Sequence, residues 1–151
     1  MRKNNRNFDL KRKLGNTIMI NGKKKTGEKI LLKFAKRLQK STDKSLKSLV
    51  QLAIINTTST FKINEQVVKK GKRKGVTRAP SFIINNSLRL ANSLKLLRDA
   101  ASRNQKSVYF YEKFTNEVLA SFLLKSQTVD KKNEIQKQVL MNKRHLSKFR
   151  W

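Results

Sequence analysis

The chain contains no cysteine, one proline, five glycines, one histidine and nine acidic residues among 151. Each shortage excludes something. Without cysteine there is no disulfide, no thiolate metal site and no cysteine nucleophile, although the compartment stays open. Two-metal hydrolysis needs several carboxylates converging on one point, and nine acids spread among 37 Lys and Arg read instead as helix caps and surface ion pairs. His145 stands in a basic stretch with no Asp or Glu near it in sequence. No Walker loop, GxGxxG or HExxH motif occurs. No apolar run approaches the ~18 residues that a membrane span requires. The expectation is a chain without catalytic residues, metal, cofactor or small-molecule substrate.

Positive charge is what the chain has in excess. The formal net charge is +28 and the sequence pI about 11.1. Unopposed charge of that size repels itself and weakens a compact state, so it is the footprint of a polyanion binder. Nucleic acid fits because each neutralised phosphate releases condensed counterions. An anionic membrane surface would call for a basic helix with one very apolar face, whereas here the cations are spread over the whole sequence. Leu, Ile, Val and Phe nevertheless make up about 28% of the chain, above the roughly 20% below which highly charged chains stay disordered. One core in one domain, 1–151, is expected.

Five segments carry helical periodicity. Ile30, Leu31, Phe34, Ala35 and Leu38 share a face of a helix entered near Thr26, with Glu28 in its first turn. Leu46, Leu49, Val50, Ala53 and Ile54 form the cleanest stripe, with Ser45 or Asp43 as cap. A third helix runs from about Ser87 through Leu90, Leu94, Leu97 and Ala101, capped by Asn85 or Asn86. The fourth carries Tyr111, Phe114, Val118, Leu119 and Phe122, aromatics that read as core before base stacking. The fifth carries Ile135, Val139, Leu146 and Phe149. A shorter sixth fits about Phe8 to Ile20, after a basic tail at about 1–8. There is no internal repeat.

Between the second and third stripes the period changes to two. Phe61, Ile63 and Val67 alternate approximately, as do Val76, Arg78, Pro80, Phe82 and Ile84. The basic run Lys69-Lys70-Gly71-Lys72-Arg73-Lys74-Gly75 between them predicts a glycine-containing turn, hence a β-hairpin over about 61–84. Pro80 cannot donate to a ladder and suits an edge strand. An isolated hairpin is marginal in water and needs packing or a ligand. Five cations in that turn, with no acid among them, make it a phosphate-binding candidate. Lys23-Lys24-Lys25 is a weaker one. Trp151 suits packing on the body and stacking on a base equally.

Read in order, the landmarks are a glycine-lysine loop before a helix, Ala53-Ile54-Ile55-Asn56 late in the next helix, a basic hairpin with Pro80 in its return strand, a long helix, two further helices, and Phe149-Arg150-Trp151. Together they resemble small-subunit ribosomal protein seven. Asn21-Gly22-Lys23-Lys24-Lys25-Thr26-Gly27-Glu28-Lys29-Ile30 is similar to that family's Asp-Gly-Lys-Lys-Ser-Thr-Ala-Glu-Lys-Ile. Asn142-Lys143 with Phe149-Arg150-Trp151 is similar to its closing Asn-Lys and Tyr-Arg-Trp. The resemblance covers about Leu10 to Trp151. It implies a mainly α fold, a six-helix bundle-like body with a protruding two-stranded β-hairpin arm and carboxy-terminal helices over about 87–149. It further implies binding to the 3′ major domain of small-subunit rRNA, organisation of head assembly, neighbouring head and platform proteins, and an arm near exit-site tRNA and mRNA. The residues expected on rRNA are Lys23, Lys24, Lys25, Lys29, Lys69, Lys70, Lys72, Arg73, Lys74, Arg78, Lys143, Arg144 and Arg150. Lys and Arg would grip RNA backbone and shape rather than read a duplex groove.

The chain departs from the family pattern in places. Arg73-Lys74-Gly75-Val76-Thr77-Arg78-Ala79-Pro80 stands where the family has Gly-Gly-Ser-Thr-Tyr-Gln-Val-Pro, which removes the tip aromatic. Leu94, Leu96 and Leu97 occupy the region of a family Trp, and a proline expected after Asn56 is absent. Lys outnumbers Arg 26 to 11 and Asn is abundant, as AT-rich codons would give. That drift points to an organelle genome, mitochondrial first, with plastid or AT-rich bacterium behind. Met1 to Arg6 lacks the serine-rich amphipathic pattern of a transit peptide. The competing function is an architectural DNA-binding protein whose basic β-arm enters a minor groove, with Val76 or Pro80 as wedge; an RNA-processing enzyme stands third.

Overall fold

The computed structural model describes residues 10–70, 73–104 and 107–143. Its elements in chain order are α1 (Leu10–Ile18), α2 (Lys24–Ser41), α3 (Leu46–Thr57), β1 (Phe61–Lys70), β2 (Arg73–Phe82), α4 (Asn86–Arg103), α5 (Phe110–Phe122) and α6 (Gln127–Met141). The fold is mainly α with one antiparallel hairpin, as expected.

The apolar stripes make the core. Leu14 and Ile18 from α1, Phe34 and Leu38 from α2, Leu49, Val50, Ala53 and Ile54 from α3, Leu94, Leu97 and Ala101 from α4, and Phe114 and Val118 from α5 form one buried cluster. Helix α5 packs on α2, α3 and α4, so its aromatics serve the core. Phe114 meets Phe34 edge-on at 5.0 Å, a favoured aromatic geometry. Ile30, Leu31, Tyr111, Leu119 and Phe122 lie half-buried around that centre.

Polar links close the helix ends. Asn56 donates from Nδ2 to the carbonyls of Ser121 and Phe122 at 3.1 and 3.3 Å, satisfying the end of α5. Lys132 Nζ donates to the Asn56 carbonyl at 2.8 Å. Glu117 is buried, and one of its oxygens accepts from both the N–H and the hydroxyl of Thr128 at 3.2 and 2.6 Å, joining α5 to the start of α6. Thr57 and Ser93 share a buried hydroxyl pair at 2.7 Å between α3 and α4. Among the described residues no buried side-chain N or O lacks a partner.

Caps decide several boundaries. Of the two candidates before α3, Ser45 is the cap, its Oγ accepting from the Ser48 N–H at 3.3 Å. Before α4 it is Asn85, accepting from the Ser87 N–H at 2.9 Å. Helix α2 starts at Lys24, two residues before the expected entry, so Glu28 falls outside its first turn. The cause is the turn ahead of it. Asn21 (φ 52°) and Gly22 (φ 71°) are both left-handed, and the chain re-enters the helix with Lys23 as cap. Helix α6 ends at Met141, with Asn142 as its C-cap. Leu146 and Phe149, expected to extend it, lie outside the described residues, as do His145 and Trp151.

The hairpin departs most from expectation. Five residues of the run expected as a turn stand in the ladder instead, because pairing continues outward through Val67↔Val76, Val68↔Gly75, Lys69↔Lys74 and Lys70↔Arg73; Gly71 and Lys72 lie outside the described residues. Glycine and a charge run read as loop, but a hairpin in register from Phe61↔Phe82 carries its ladder through them. At the base, Phe61 and Phe82 meet edge-on at 5.6 Å, Arg89 lies over Phe82 at 5.0 Å, and Pro80 and Ile83 are buried. β1 packs there against α6. Farther out, Val67 and Val76 are 63% and 60% exposed. Ten-residue strands at about 3.4 Å per residue give a ribbon about 30 Å long, anchored among the described residues at its base.

Gly15 lies within α1, and a Cβ built on it meets nothing within 4 Å. Glycine in a helix interior costs about 0.5–1 kcal/mol relative to alanine. Gly15→Ala is therefore expected to stabilise the protein by about that amount, read as a raised urea midpoint with an unchanged m-value.

Candidate nucleic-acid interface

The first basic group sits where α2 begins. Lys23 is the cap residue, and Lys24 and Lys25 belong to the first helical turn rather than to a loop. All three are exposed, as is Lys29 one turn on. The Asn21-Gly22 turn presents them, held by the Lys23 N–H on the Ile20 carbonyl at 3.1 Å and the Lys24 N–H on the Gly22 carbonyl at 2.8 Å. Their placement opposes local stability. A helix N-terminus carries partial positive charge and favours acids, yet α2 has no acid in its first turn and no side-chain cap. Among the described residues the group ion-paired with this cluster is Glu28, 4.0 Å from Lys24 Nζ and exposed.

From that end the cations continue along one face. Lys25, Lys29, Lys33, Lys36 and Lys40 recur at spacings of three and four, the neighbour spacing of a helix, and all are exposed. Lys33, Lys36 and Lys40 are not among the residues expected on rRNA; the signal for them in sequence is lysine recurring with the same period as the apolar stripe of α2. Lys11, Arg12, Asn16 and Lys24 line a groove between α1 and α2 beside this face.

The second group is the ribbon. Its register sets Lys69 opposite Lys74 and Lys70 opposite Arg73, two pairs of like-charged residues in succession. Arg78 lies nearer the base, with Nε 3.0 Å from Glu65 Oε1 across the ladder. That pair is half-exposed and weak enough for a phosphate to displace. Lys72, Arg144 and Arg150 lie outside the described residues; Lys143 is exposed just past α6. The described residues expected on rRNA thus stand on separate elements: the start of α2, the ribbon, and the end of α6.

Fold and charge together define a mainly helical, polyanion-binding protein with a basic β-arm. The chain belongs to the ribosomal protein S7p/S5e family, whose match runs over residues 2–143. It is similar to the small ribosomal subunit protein uS7 of Pelagibacter ubique (strain HTCC1062), with 27% identity over 139 residues, covering 92% of this chain and 85% of that protein. It is thus a structural ribosomal protein and not an enzyme.

Proposed function

We propose that this chain is a constituent of the small ribosomal subunit that binds the 3′ major domain of its rRNA and organises assembly of the head. The observation that carries the reading is the exposed lysine face of α2, in a chain of net charge +28 whose family is ribosomal. Through the helical body the protein grips folded RNA by phosphate and shape. The ribbon, fixed at its base by Phe61, Phe82 and Ile83, extends toward exit-site tRNA and mRNA, while neighbouring head and platform proteins cover other faces. Its organelle is the mitochondrion, the reading that lysine-rich, asparagine-rich composition supports.

Ultraviolet crosslinking in the native source, followed by sequencing of the attached nucleic acid, tests this. The expected result is a peak in the 3′ major domain of small-subunit rRNA, with a subset of adducts on ribbon peptides. Dispersed adducts on DNA with no rRNA peak would overturn the reading in favour of a DNA-bending protein with a basic arm.

A further inference from the structure

One aromatic ring at the start of α5 is not explained by the core. The residues before and within the first turn of α5 are Tyr109, Phe110 and Tyr111. Phe110 stacks on Phe114 at 5.9 Å, and both Phe110 and Tyr111 pack on the buried cluster. Tyr109 has no part in that cluster and is 60% exposed. Although it occupies the cap position of α5, its side chain makes no capping bond. Its ring lies on Tyr111 at 5.6 Å and 23°, a stacked arrangement. One side of the ring is thus on Tyr111, while the residue keeps most of its surface exposed.

Two lysines complete the setting. Tyr109, Phe110 and Tyr111 line a cleft of about 320 Å³ together with Thr26, Lys29, Ile30 and Lys33 of α2. Lys33 Nζ stands 5.5 Å from the Tyr111 ring centre. Neither lysine is ion-paired among the described residues. Glu112, the acid nearest in sequence, is engaged by Arg37 at 2.6 Å. The cleft therefore offers an apolar aromatic floor and unopposed positive charge, at the same end of α2 as Lys23 to Lys25.

We infer that this cleft is a site for a single unpaired RNA nucleotide, its base stacked on Tyr109 and its phosphates held by Lys29 and Lys33. An aromatic face takes any base, and lysine takes the backbone, which is how splayed-out nucleotides are bound. Charge complementarity decides the occupant. An apolar protein segment would leave both ammonium groups without counter-charge, whereas a nucleotide supplies base and anion together. The inference rests on the rRNA reading above and names a contact within it.

The test uses the full-length protein and a transcript of the 3′ major domain of the small-subunit rRNA from the same source. Tyr109→Ala is expected to weaken binding about 5–150-fold, the range for loss of one base–aromatic stack, with an unchanged salt slope. Tyr109→Phe keeps the ring and should bind within about twofold of wild type, by the same stacking argument. Lys29→Gln with Lys33→Gln should lower the salt slope by about 1.4, two phosphates on a single strand. In native particles, ultraviolet light should attach a nucleotide to the peptide holding Tyr109. Wild-type binding by Tyr109→Ala, or a protein adduct at that peptide in place of a nucleotide, would overturn the nucleotide site alone. Failure of the wild-type chain to bind the transcript would overturn the rRNA reading, and this site with it. Because Tyr109 lies outside the core, its melting temperature serves as the control for folding.

Discussion

Replacing Lys23, Lys24 and Lys25 together with glutamine is expected to make the protein slightly more stable and a much poorer RNA binder. The two effects share one cause. Three positive side chains crowd the positive end of α2, where no first-turn acid and no side-chain cap offset them. Removing each interaction with the helix dipole returns about 0.3 kcal/mol at exposed positions, and less at high salt. On RNA the same charges act favourably. Three lost phosphate contacts lower the slope of log K against log salt by about 2–3, which at 0.1 M salt corresponds to a loss of roughly 100-fold or more. Thermal melts and filter binding across a salt series measure the two halves independently. Equal slopes for variant and wild type would remove this lysine group from the interface.

Phe114→Ala carries the largest expected loss of stability, about 3–5 kcal/mol, the range for deleting a fully buried aromatic. Phe114 is 1% exposed, lies edge-on to Phe34 and stacks with Phe110. It belongs to α5, the helix on which α2, α3 and α4 all pack, so surrounding side chains cannot close the void without moving several helices. Urea unfolding gives the number. A change below about 1 kcal/mol would mean that the site collapses around the smaller residue. The neighbouring Tyr109→Ala should leave stability nearly untouched, although the two residues are only five apart. That contrast separates the aromatics that build α5 from the one it displays.

The helical body was legible because its helices announce themselves locally. The spacing of Leu46, Leu49, Val50, Ala53 and Ile54 marks α3 without reference to any other part of the chain, and the structure buries Leu49, Val50, Ala53 and Ile54. The ribbon was legible in kind, since period-two alternation near Phe61 and Pro80 has no helical interpretation. Its extent was not. Lys69 to Gly75 resembles a loop by composition, and only pairing with the opposite strand shows that Lys69, Lys70, Arg73 and Lys74 stand in the ladder. In the same way, Asn56 is an undistinguished polar residue in sequence; its role appears when the carbonyls of Ser121 and Phe122 arrive beside it.

The charge total, the core stripes, the family resemblance and the candidate cations Lys23, Lys24, Lys25 and Lys29 were set by sequence alone. Each depends on residue identity and on spacing along a single segment, information that needs no partner in space. The tertiary structure decided what depends on two distant segments meeting. It put Lys24 and Lys25 at a helix start with no first-turn acid and no side-chain cap, placed like-charged residues opposite each other in the ribbon register, and set Lys29 and Lys33 of α2 beside Tyr109 and Tyr111 of α5. Those two tyrosines lie some eighty residues further along the chain, a separation no local pattern spans, and packing of α2 on α5 is what brings base-stacking surface and phosphate-binding charge together.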